Sequence, residues 1–104
     1  MQEQRAAPRF RVDLKARWET LKSQGRGAVS DLSSGGCFVL SGGEVSAGEL
    51  IRLQITSAEH LAITWGQVIY AVGEMGFALR FVFAGESDKD DLEHLIDDLQ
   101  LGRS

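Results

Sequence analysis

The sequence predicts an all-β fold, an antiparallel barrel or curled sheet of six short strands, followed by a single terminal helix. Three observations predict it. Alternation of apolar and polar residues with period two recurs along the chain, polar turns containing glycine and serine separate the alternating runs, and a helical period enters only after residue 86. Short strands succeeded by one amphipathic helix fit a sheet that closes or curls on itself, with the helix covering an opening or offering its apolar stripe to a partner.

The first strand carries the clearest signal: Phe10, Val12, Leu14, Ala16 and Trp18 alternate with Arg11, Asp13, Lys15 and Arg17, as a strand with one wet face requires. Residues 23–27 read as a turn. Residues 28–32 and 36–41 follow as two short strands around a connection at residues 33–35. Gly42, Gly43, Ala47 and Gly48 mark the next connection, after which Ile51, Leu53 and Ile55 alternate with Arg52 and Gln54. In the fifth strand the large apolar residues Ile63 and Trp65 read as inward, but Val68 and Tyr70 fall on the opposite parity, so a bulge is expected at Gly66. Phe77, Leu79, Phe81 and Phe83 form the last alternating run. Ser87 followed by Asp90 resembles a capping box, Leu92, Leu95, Ile96 and Leu99 share one helical face, and Gly102 can end a helix at about residues 87–101.

A chain of 104 residues with 43% hydrophobic content suits one core. The expected division is a flexible arginine-bearing arm at residues 1–9 and a domain at residues 10–104. No apolar run approaches the length of a membrane span or resembles a signal peptide, and the lone Cys37 reads as a small core residue in a reducing compartment. A cytoplasmic protein without a membrane partner is expected. The formal charge of -4 is unevenly spread: residues 1–26 hold seven Lys and Arg against three acids, and residues 86–98 hold seven acids against Lys89. An anionic ligand would therefore be drawn to the first segment.

Signatures of catalysis are largely missing. His60 and His94 have no cysteine at metal-ligand spacing, and no glycine-rich phosphate loop precedes a helix, so neither an enzyme nor a metal or cofactor is expected. An acidic balance with 8% aromatic content also argues against a nucleic-acid-binding barrel.

Two motifs carry chemistry. Arg5-Ala6-Ala7-Pro8-Arg9 is an R-x-x-x-R pair ahead of the first strand, and Pro8 favours an extended Ala7, so the pair belongs to an extended segment. A guanidinium fork suits a phosphate or the O6 and N7 edge of guanine. Asp31-Leu32-Ser33-Ser34-Gly35-Gly36 is a D-x-S-x-x-G turn. Its carboxylate can accept from guanine N1 and N2, its hydroxyl can donate to a phosphate, and its glycines permit close backbone approach. Taken singly, the arginines could serve solubility, and Asp31 and Ser33 could bond their own backbone.

Together and in this order, flanking the first strand, the motifs resemble those of the PilZ domain family, matched by Arg5, Arg9, Asp31, Ser33 and Gly36. The stretch Gly66-x-Val68-x-Tyr70 followed by Gly76-Phe77 is similar to the family's later strands. The resemblance implies a six-stranded antiparallel barrel with a C-terminal helix, and a receptor for cyclic di-GMP that acts without turnover through a downstream protein. It further implies that Arg5 and Arg9 contact guanine and phosphate, Asp31 the guanine edge and Ser33 a phosphate, while Gly36 shapes the turn. Tyr70 is a candidate for stacking on a guanine, with an ordinary barrel position as the alternative. Gln4 stands where many relatives carry another basic residue, which leaves open whether one ligand molecule or an intercalated pair is bound. The alternative function is a PilZ-like interaction module that binds no nucleotide.

Overall fold

The computed structural model describes residues 9–58, 60–83 and 86–100. Arg5, Gly102 and the arm ahead of Arg9 lie outside the described residues. Six antiparallel strands, β1 (Phe10–Glu19), β2 (Gln24–Leu32), β3 (Gly36–Leu40), β4 (Leu50–Thr56), β5 (Leu61–Val72) and β6 (Gly76–Phe81), are followed by α1 (Glu86–Gln100). They close in the order β1-β2-β3-β6-β5-β4, with β4 pairing back onto β1, which leaves no free sheet edge.

Alternation decides which side chains fill the barrel. Leu14, Ala16 and Trp18 of β1, Val29 and Leu32 of β2, Cys37 and Val39 of β3, and Ile51, Leu53 and Ile55 of β4 point into one core with Phe77 and Leu79 of β6. Leu92, Leu95 and Ile96 of α1 join the same cluster, and the helix packs against β5. The apolar stripe of α1 is therefore used by the domain itself. Among the described residues no helix is long and apolar enough to cross a membrane.

Trp18 organises one end of this core. Its ring meets Phe77 edge to face at 5.4 Å, and its indole N–H donates to Ser41 Oγ at 2.9 Å. The Ser41 hydroxyl in turn donates to the Arg26 carbonyl at 3.0 Å, so the buried polar atoms of the tryptophan and serine are satisfied. Gly25 and Gly43 lie against the indole: a Cβ at either would stand 2.6 Å or 2.1 Å from ring atoms.

Four expectations need correction. β2 begins at Gln24, so residues 24–27 are strand, and the turn lies at Thr20 to Ser23, where Thr20 Oγ1 accepts from the Lys22 and Ser23 amides. β6 ends at Phe81, leaving Phe83 half-buried beyond it. α1 starts at Glu86, which puts Ser87 inside the first turn instead of ahead of it. In β5 the inward residues are Ala62, Thr64, Gly66 and Val68 on a single parity, whereas Ile63 is half-buried and Trp65 and Tyr70 are exposed. No bulge falls at Gly66. The volume of the barrel explains this: β5 lies between the bulky inward residues of β4 and β6, and a Cβ at Gly66 would already stand 3.2 Å from the Leu79 side chain. A narrow barrel is filled by pairing small with large residues around its circumference.

Candidate ligand-binding face

The pairing registers assemble one row of residues around the barrel. Arg11 lies opposite Asp31, Asp31 opposite Phe38, Phe38 opposite Ala78 and Ala78 opposite Tyr70, so the row crosses β1, β2, β3, β6 and β5. It lies on the outer face, because Cys37, Phe77 and Leu79 beside it point inward.

Two bulges put Asp31 and Tyr70 there. Val29 and Leu32 are both fully buried although three residues apart, since Ser30 is an extra residue where the β2 register shifts against β3; against β1 the extra residue lies on β1, between Arg11 and Leu14. Without that shift, Asp31 would share the inward parity of Val29. Ile69 does the same in β5, where the register shifts between Val68 and Tyr70, and both Ile69 and Tyr70 are exposed. Bulges re-aim single side chains in this way near functional sites. The size of Tyr70 argued for an inward position; the bulge reverses it.

Arg9 reaches back over β2 onto this row. Its Nη2 donates to Asp31 Oδ2 at 3.0 Å and its Nε to Asp31 Oδ1 at 3.3 Å, a two-pronged pair. The hydrogen bond and charge of Asp31 raise the Arg9 pKa above its ordinary value, with the nearby Tyr70 contributing in the same direction. Arg9 is thus a permanent cation. The pair uses two of the five guanidinium N–H groups and leaves three for a ligand.

The Ser33 to Gly36 turn closes the floor. Ser33 Oγ accepts from the amides of Gly35 and Gly36 at 3.2 and 3.3 Å, while its own proton points at the Gly36 carbonyl over a long 3.4 Å. The hydroxyl supports the turn as a local reading of the motif requires, yet its donor is only weakly engaged. Gly36 is needed for contact: a Cβ there would lie 2.2 Å from the Leu79 carbonyl oxygen of β6. Its backbone is not left-handed; among the described residues positive φ occurs at Gly48, Gly73 and Gly76. Gly36 therefore lets β3 approach β6, which is the close approach expected of it, although what approaches is the protein's own backbone.

Around these groups lies an open depression of about 680 Å³ lined by Arg9, Asp31, Ser33, Phe38, Tyr70 and Arg80 among others. The volume is within the roughly 300–1,000 Å³ of ligand sites. Phe38 and Tyr70 stand with ring centroids 6.4 Å apart, tilted by 44°, with the small Ala78 between their strands leaving room for contact. Arg80 donates to Gln67 Oε1 at 2.9 Å and is exposed.

The structure thus brings together Arg9, Asp31, Ser33, Gly36 and Tyr70, and Arg5 lies outside the described residues. Phe38, Arg80 and Arg11 were missed by the sequence reading. A signal existed for Phe38 and Arg80: each is the wet-face residue between two inward neighbours on strands directly beside the D-x-S-x-x-G turn. Cys37 lies beneath the site, fully buried, and burial raises its thiol pKa well above the ordinary range. It is a core residue, as expected. Among the described residues no group of His, Cys, Asp and Glu could hold a metal ion.

The PilZ domain family model matches residues 3–98 of the sequence. Among solved structures, the fold is similar to the PilZ domain of CeSA from a cellulose-synthesizing bacterium, with TM-score 0.77 and 15% identity over 90% of this chain and 99% of that one. It is similar to the PilZ domain with c-di-GMP of YcgR from Escherichia coli, with TM-score 0.77 and 15% identity over 96% and 94% of the two chains. It is also similar to the MrkH–c-di-GMP complex of K. pneumonia, with TM-score 0.78 and 22% identity over 97% of this chain. The match covers 54% of the MrkH chain, so this chain spans about half its length. Among curated protein sequences, none matches significantly. A family match over nearly the whole sequence, on a six-stranded barrel that solved PilZ domains share, makes this chain a member of the PilZ domain family.

Proposed function

We propose that the chain is a cyclic di-GMP receptor that binds its ligand on this face without chemical turnover and acts through a protein partner. The observation that carries the reading is the Arg9–Asp31 pair standing beside Phe38 and Tyr70 over the Ser33 to Gly36 turn. Each part suits a different portion of a ligand with two guanines and two phosphates. The three free N–H groups of Arg9 can donate to a phosphate or to guanine O6 and N7. Asp31 can hold Arg9 in that orientation while a remaining lone pair accepts from guanine N1 or N2. The Ser33 proton needs only a small rotation to leave its long contact with Gly36 and donate to a phosphate oxygen. The exposed Tyr70 ring and the half-buried Phe38 ring offer apolar surface to a base. Arg5 is assigned a second phosphate or guanine contact, carried by the motif.

Binding by this route neutralises the ligand's charge and covers exposed rings, so the outer face of β3, β5 and β6 changes character when the ligand arrives. A partner that distinguishes the two surfaces would transmit the signal. Calorimetric titration with cyclic di-GMP, GTP and a single-stranded oligonucleotide tests the reading: saturable binding of cyclic di-GMP alone is expected. Heat from none of the three would overturn it and leave the nucleotide-free interaction module.

A further inference from the structure

The opposite end of β1 carries a second outer face with a different chemistry. Glu19 lies opposite Gln24 on β2 and Arg52 on β4, and Arg52 lies opposite Trp65 on β5. In the next row Arg17 lies directly opposite Arg26, with Gln54 on its other side. An open depression of about 620 Å³ is lined by Arg17, Glu19, Gln24, Arg26, Arg52 and Gln54. Eight residues of β1 separate Glu19 from Arg11 in the ligand-binding row, about 26 Å along an extended strand.

Two features need explanation. Like charges directly opposed on neighbouring strands destabilise a sheet, and Arg17 and Arg26 are so opposed. Among the described residues neither has an ion-pair partner. Glu19 instead leans toward Arg52 at 3.8 Å, an exposed and loose contact. Trp65 also remains 37% exposed and Leu50 53% exposed on the same face, diagonal neighbours across β4 and β5. An uncompensated arginine pair, with Trp65 exposed across β4 beside Arg52, combines the arginine and aromatic residues enriched at protein interfaces.

We propose that this face is the docking surface for an acidic segment of the partner protein, with its carboxylates between Arg17, Arg26 and Arg52 and an apolar side chain against Leu50 and Trp65. The proposal rests on the receptor reading only in calling this partner the downstream one. Charge complementarity selects the occupant: three arginines with Lys15 outward beside them call for carboxylates. A nucleic acid fits less well, because the full sequence carries a net charge of -4 with seven acids at residues 86–98, and a leucine near a single tryptophan offers a base little stacking. On β2, Arg26 lies five residues from Asp31, about 17 Å along an extended strand, which leaves the arginine cluster and the ligand-binding row free to be occupied at once.

The test uses the full chain and a fluorescein-labelled glutamate–leucine peptide, followed by anisotropy and by amide chemical shifts. At low salt the peptide should bind, shifting amides of residues 15–19, 24–26 and 52–54 and the Trp65 indole. Arg17→Glu and Arg26→Glu should each weaken it by about tenfold or more. Arg17→Glu should also raise Tm, since it replaces a repulsive pair with an attractive one, which shows that lost binding is not lost folding. Cyclic di-GMP affinity should be unchanged in both variants, so a failed receptor reading would be visible separately as absent nucleotide binding. The proposal is overturned by no peptide binding at low salt, by binding that survives Arg17→Glu, by shifts confined to the Arg9 to Tyr70 face, by preferential binding of an oligonucleotide, or by salt-dependent dimerisation through α1 that blocks the peptide.

Discussion

Arg9→Ala is the sharpest test of the ligand-binding face, because the structure separates its effect on binding from its effect on folding. In the free protein Arg9 makes one two-pronged contact, to Asp31, with the two side chains 63% and 36% exposed. An ion pair so open to water contributes about 0–1 kcal/mol, so Tm should fall by less than about 5 °C. In the complex, a charge-assisted hydrogen bond is worth about 1.5–3 kcal/mol, and removing Arg9 also leaves the Asp31 carboxylate uncompensated beside the ligand's phosphates. Recovery of the modest cost of holding the free pair partly offsets this. The expected result is a loss of about tenfold to a hundredfold in cyclic di-GMP affinity by calorimetry. Arg9→Lys should recover only part of it, since an ammonium cannot hold Asp31 and a ligand edge with one planar fork. A double-mutant cycle with Asp31→Asn then divides the two roles of the carboxylate. If Asp31 acts only by orienting Arg9, its substitution in the Arg9→Ala background costs nothing more and recovers affinity by removing the uncompensated charge; if it also accepts from guanine, a cost remains. Wild-type affinity in Arg9→Ala, with the fold intact, would refute the assignment of this face.

Gly36→Ala should destabilise the barrel by about 1–3 kcal/mol, because its Cβ would meet the Leu79 carbonyl at 2.2 Å, and the check is urea denaturation compared with Gly35→Ala, where the nearest atom is 4.0 Å away. Tyr70→Ala should weaken cyclic di-GMP binding while Tyr70→Phe largely preserves it if the ring supplies apolar surface; equal losses in both would point to the hydroxyl. Cys37 should react with a thiol reagent only on unfolding, and its raised folded pKa gives a defined sign to the pH dependence. Below about pH 8.5 both states are protonated, above it the unfolded thiol ionises first, and stability should then fall with pH, a slope absent from Cys37→Ala.

Much of the fold was legible because it rests on local alternation. The run from Phe10 to Trp18 specified β1 and its wet face, and Ile51, Leu53 and Ile55 did so for β4. The change of period after residue 86 separated helix from sheet, and the stripe of Leu92, Leu95 and Ile96 is buried as its spacing implied. The D-x-S-x-x-G turn was legible for the same reason: the bonds of Ser33 Oγ to the amides at positions 35 and 36 span only three residues. Closure into a barrel was not set by any one segment, since it depends on β4 returning to β1 with Lys15 against Thr56 and Glu19 against Arg52.

The misreading of β5 has a physical cause that also bears on how the site is made. Side-chain size misleads about direction in β5: inside a six-stranded barrel the space left by Ile51, Leu53, Ile55, Phe77 and Leu79 admits Ala62, Thr64 and Gly66, with Val68 as the larger inward residue. Trp65 was consequently turned out onto the face with Arg52. Four residues further along, Ile69 adds an extra residue and turns Tyr70 out as well, while Ser30 does the same for Asp31 in β2. A strict period-two reading therefore fails at the positions that carry chemistry, because a regular strand would have buried them. The barrel's small interior and the bulges at Ser30 and Ile69 thus act together: the interior turns Trp65 outward, and the bulges lift a carboxylate and a phenol from inward positions onto a common outer row beside Arg9.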